Sequence, residues 1–81
     1  MSSTTAVPSD VIAKLASESG LSQADVSHIA EHAVLFVDTI KQTGVGLTIV
    51  RTWACIRCVF SIGPVRKVFW CLVCYLIGGS I

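Results

Sequence analysis

Apolar residues recur at helical spacing through the first half of the chain and run together through the second. Val11, Ile12, Leu15 and Ala16 form one stripe that predicts a short helix over about 10–19. Ser9 stands before it as an N-cap, with Asp10 in the first turn, where the helix dipole favours a negative charge. Gly20 suits the left-handed position after the last turn, and Leu21 is placed to fold back over that turn. Ser22-Gln23-Ala24-Asp25 then reads as a capping box, with Asp in the usual Glu or Gln place. Val26, Ile29, Ala30, Ala33, Val34, Val37 and Ile40 continue as a second stripe, predicting a helix over 23–43 that Gly44 and Gly46 end. Asp25, Ser27, His28, Glu31, Asp38 and Lys41 fall largely outside the stripe. The expected core of this antiparallel pair is Val11, Ile12, Leu15, Val26, Ile29, Ala33, Val37 and Ile40.

After Gly46 two apolar blocks replace the clean period. The first runs from Leu47 to Ile62 and is interrupted by Arg51 and Arg57. Gly63-Pro64 marks a turn or helix break, Arg66-Lys67 is a basic pair, and Val68–Ile81 is apolar apart from Ser80. A bilayer span needs about 20 apolar residues, and an arginine at mid-bilayer costs roughly 2.5–3.5 kcal/mol on insertion scales. Three geometries remain open: a helical hairpin bent at Gly63-Pro64, an interfacial helix with a short insertion, and a β-hairpin buried in an assembly. Dense β-branched and aromatic residues keep strands in play. Helices are favoured, because a two-stranded sheet in lipid leaves edge groups without partners.

The fold class read from this pattern is mainly α: an N-terminal antiparallel helix pair, then a hydrophobic, basic C-terminal hairpin buried in a membrane or an assembly. The domain reading is a disordered tail over 1–8, the helix pair over 9–44 and a cysteine-rich membrane-associated segment over 45–81. Charged residues are 14% of the chain and the mean hydropathy is +0.76, well below the ~25% charge of ordinary soluble domains. Charge is also segregated. Lys14 and Lys41 face Asp10, Glu18, Asp25, Glu31 and Asp38 in the first half, whereas the second holds Arg51, Arg57, Arg66 and Lys67 with no acid. Eighty-one residues offer little core in which to hide so much apolar surface, so the C-terminal half is expected to borrow its cover from lipid, from a larger assembly or from self-association. The N-terminus has neither the basic and apolar regions of a cleavable signal peptide nor a myristoylation glycine. The expected location is therefore membrane-associated, through the C-terminal half.

The stretch 9–44 resembles the helical N-terminal half of the bacterial histone-like (HU/IHF) proteins. The likeness rests on Val11-Ile12, Leu15-Ala16, Ser19-Gly20-Leu21-Ser22, Asp25 with the stripe after it, and Ile40-Lys41 before Gly44. In that family such helices build an intertwined dimer, and a later β-sheet with basic arms binds DNA. The resemblance implies a helix pair and dimerisation. The chain departs from it after Gly44, where no polar basic arm follows.

Four cysteines give C-x2-C-x12-C-x2-C, numerically close to a structural zinc site at Cys55, Cys58, Cys71 and Cys74. Their apolar surroundings disfavour thiolates, so packing or reversible palmitoylation is the preferred reading, with zinc and disulfides as alternatives. A redox role for Cys-x-x-Cys needs a thioredoxin-like context that is missing here. His28-Ile29-Ala30-Glu31-His32 matches the letters of inverted zinc proteases. A hydrolase also needs a third ligand and a cleft, so a solvated helix face is preferred. Arg51, Trp53, Arg57, Arg66, Lys67 and Trp70 form an aromatic and basic set suited to a headgroup interface, or to stacking on nucleic acid. No catalytic constellation and no cofactor is implied. The expected function is a non-enzymatic, membrane-associated structural or assembly protein, such as a small component of a membrane complex or of a membrane-containing virion. The alternatives are a holin-like pore former and a histone-like nucleic-acid-associated protein. The expected partners are a lipid membrane and a protein or second copy met through the helix pair, with nucleic acid third.

Overall fold

Each helix begins and ends where local chemistry allows. In the computed structural model, which describes residues 7–44 and 46–78, the elements are α1 (Ser9–Ser19), α2 (Gln23–Thr43), α3 (Leu47–Phe60) and α4 (Pro64–Leu76). The first helix starts one residue earlier than expected. Pro8 takes the cap position, and its carbonyl accepts the Val11 and Ile12 N–H groups at 3.1 and 3.2 Å. Ser9 is thus already helical and makes no cap bond. Residues 1–6 of the expected tail lie outside the described residues, and Val7, at 3% exposure, is anchored in the core. Gly20 adopts φ 79° and donates to the Ala16 carbonyl, the left-handed ending that a side chain would strain. Leu21 folds back against the core beside it.

Ser22 caps α2 as the sequence reading expects, without the return bond from the Ser22 N–H to the Asp25 carboxylate that a full capping box adds. The Ser22 hydroxyl accepts the Asp25 N–H at 3.1 Å, satisfying one of the donors that a helix start leaves free. Ser22→Ala is expected to cost about 1 kcal/mol, read as a lower urea midpoint at unchanged slope. An unchanged midpoint would remove this cap from the list of stabilising contacts.

No strand occurs among the described residues, which sets aside the β-hairpin alternative. The reason lies in the turn. Ser61, Ile62 and Gly63 (φ 95°) break the chain between α3 and α4, and Pro64, at the first helical position of α4, has no N–H for a helix start to leave unpaired.

The fourth helix is the centre of the molecule. It touches each of the other three, whereas α3 packs chiefly on α4. Val68, Cys71, Leu72, Val73 and Cys74 of α4 are buried against Ile12, Leu15 and Ala16 of α1 and Val26, Ile29, Ala30, Ala33 and Val37 of α2. Of the expected pair core, Val11 and Ile40 are only half-buried. The Cα atoms span 33 × 33 × 17 Å, so the thin dimension holds two helix layers at the usual 8–10 Å spacing.

Two expectations are corrected here. No helix among the described residues is long and apolar enough to cross a membrane: α3 has 14 residues and α4 has 13. The membrane-associated location therefore falls. Its premise, that the apolar tail has nowhere to go inside so small a protein, fails for α4. The stripes of α1 and α2 do not close only on each other, and α4 fills the space between them. The second correction concerns the cysteines. None is a packing thiol, a palmitoylation site or a zinc ligand, because Cys55 is bonded to Cys74 and Cys58 to Cys71.

Candidate protein-binding face

The nested pairing of the cysteines decides what α3 presents to solvent. Cys55 and Cys58 lie nearly one turn apart on α3, as do Cys71 and Cys74 on α4. Two bonds in that register fix the antiparallel direction of α3 and also its rotation about its own axis. The side of α3 that carries Ala54, Cys55 and Cys58 faces α4, and Ala54 is its one buried residue. A small residue there lets the two backbones come close, with Cα–Cα distances of 4.9 and 4.5 Å at the disulfides.

The opposite side is a row of large apolar side chains. Ile49, Trp53, Ile56 and Phe60 follow one another at spacings of four, three and four, with Val59 beside them. All are exposed, Trp53 at 58% and Phe60 at 76%. Ile62 in the turn after the helix, at 91%, and Val65 in the first turn of α4 are exposed as well. Thr52 within this face has its hydroxyl already satisfied by the Thr48 carbonyl at 3.0 Å, so covering it strands no donor. An open furrow of about 390 Å³ runs along the face between Arg51, Thr52, Cys55, Ile56, Val59 and Phe60.

The expected headgroup set does not act as one group. Arg57 lies over the Trp53 ring at 5.6 Å and over Trp70 at 5.3 Å, a cation between two indoles. Trp70 is half-buried and meets Phe36 and Phe69 edge-on, at centroid distances of 5.8 and 5.2 Å. That aromatic cluster ties α2 to α4 and draws the Arg57 guanidinium to one flank of α3. Arg51 lies off the row, beside Leu47 and Ile77. Arg66 and Lys67 are exposed in the first turn of α4, and Lys67 borders a small cleft with Leu15 and Glu18 of α1. His28 and His32 are exposed neighbours with rings 4.9 Å apart, and Glu31 is exposed between them. No group of three or more potential ligands forms a metal site among the described residues.

Ile49, Ile56, Val59 and Phe60 were not among the expected site residues. Their signal was present as the four-three-four spacing, but it identifies a solvent face only once the disulfides show which side α4 covers. No protein-family model matches the chain, and no curated protein or solved structure matches it.

Proposed function

We propose that this protein is a non-enzymatic assembly component, which works by presenting the outer face of α3 to another protein surface. The observation that carries this reading is the apolar row on a helix whose single buried residue is Ala54. Ile49, Trp53, Ile56, Val59 and Phe60 together expose on the order of 600 Å², at the top of the ~300–600 Å² range for the largest apolar patch on a typical monomer. Patches of that size are characteristic of surfaces that meet a partner. Two disulfides holding such a helix in one orientation serve recognition, since a preorganised face loses little conformational entropy on docking.

The test is photo-crosslinking in the cells that make the protein, with a benzophenone amino acid in place of Phe60 and, as a control, in place of Gln42 on the exposed side of α2. The expected result is a protein–protein adduct from position 60 and none from position 42. Equal yields at both positions, or adducts with lipid alone, would overturn the reading.

A further inference from the structure

We infer that the surface received by α3 is α3 of a second copy, packed antiparallel across a two-fold axis that passes between Trp53 and Ile56. This rests on the reading of α3 as a protein-binding face and names its partner. Three observations support it. The first is spacing: Ile49, Trp53, Ile56 and Phe60 repeat in the four-three-four order of the seam between two packed helices. The second is area. The α3 row exposes on the order of 600 Å² on each copy, the lower end of the roughly 600–1,000 Å² that one side of a standard, stable interface covers, and a second copy brings a patch of the same size and chemistry. A patch used by both copies about a two-fold axis closes on itself and ends at the dimer.

The third observation is how residue sizes alternate along the row. In the antiparallel arrangement Trp53 of one copy lies opposite Ile56 of the other, and Ile49 lies opposite Phe60. Each layer then pairs one aromatic ring with one branched aliphatic side chain, and the furrow beside Ile56 and Val59 has room for the facing indole. A parallel arrangement sets Trp53 against Trp53 and Phe60 against Phe60, crowding two layers and leaving the aliphatic ones thin. Both arginines of α3 are exposed and stand at the edges of the row: Arg57 is held on one flank by Trp53 and Trp70, and Arg51 borders one end of the furrow. At the rim of the seam each keeps its water, so the pairing buries neither cation.

The experiment is sedimentation velocity on the oxidised full chain over about 1 to 100 µM, a range spanning ordinary dimer affinities. The unaltered chain is expected to shift reversibly from monomer to dimer. Ile56→Lys and Trp53→Glu alone are each expected to weaken dimerisation at least tenfold. An equimolar mixture of the two is expected to restore a dimer, because only the antiparallel register places position 56 of one copy against position 53 of the other. Ile49→Lys with Phe60→Glu repeats the test in the outer layer, should either first variant fail to fold. A chain that stays monomeric throughout, or a mixture that does not restore the dimer, overturns the inference. The two ideas also fail separately. A position-60 adduct with the mass of a different protein leaves α3 as a binding face and removes the second copy as its partner.

Discussion

Reducing both disulfides is expected to lower the melting temperature by about 15 °C or more and to loosen α3 before any other helix. The size follows from chain entropy. A crosslink closing a loop of about 15 residues restricts the unfolded chain enough to contribute about 3 kcal/mol. Cys58–Cys71 and Cys55–Cys74 are 13 and 19 residues apart, and because one is nested in the other, the second adds less than the first. For a domain of this length each kcal/mol moves the midpoint by roughly 4–8 °C.

The location of the effect follows from packing. A helix of 14 residues is marginal in isolation. Gly46 at its start makes no side-chain cap bond, and Ala54 is all that it buries. Without the bonds to α4, it is kept in place chiefly by Ala54, half-buried Val50 and the contact of Arg57 with Trp70. Melting curves with and without a phosphine reductant measure the size, and hydrogen exchange measures the order of opening. The account fails if the reduced, alkylated protein melts within about 3 °C of the oxidised one, or if amides of 47–60 stay as protected as those of α4.

The second large effect is expected at Leu72. It is the largest side chain with 0% exposure and sits on the central helix between the α1 and α2 stripes. Leu72→Ala removes three carbons from a closed site and leaves a cavity, at a cost of about 2–5 kcal/mol. At roughly 0.05–0.15 kcal/mol per residue, the whole molecule is stabilised by only about 4–12 kcal/mol, so the variant is expected to be partly unfolded at 37 °C. Leu35→Ala is the matched control. Leu35 is 61% exposed on α2, and its loss is expected to change stability by no more than about 0.5 kcal/mol. Equal effects in the two variants would mean that α4 is not the inner helix.

Leu72 marks where the sequence pattern reached its limit. The Leu72 block reads as an unbroken apolar run, and such a run looks the same whether lipid, a partner or the protein's own helices cover it. Leu35, by contrast, falls outside the α2 stripe, in keeping with its exposure. The aromatic set shows the same ambiguity. Trp53 and Trp70 look equivalent along the chain, yet one faces solvent and the other meets Phe36 and Phe69 edge-on.

Local chemistry alone settles the course of α1 and α2: two stripes of period 3.6, a Ser22 cap, and Gly20 and Gly44 where the backbone turns left-handed. Those features act within a few residues of one another, so they are written in the order of the letters. The inward place of α4, the pairing of Cys55 with Cys74 and Cys58 with Cys71, and the outward row on α3 depend on contacts between residues distant along the chain. Four cysteines allow three pairings, and an apolar run carries no sign of what will cover it. Only the packing of four short helices around one core chooses among these, because burial belongs to the assembled molecule and not to any one segment.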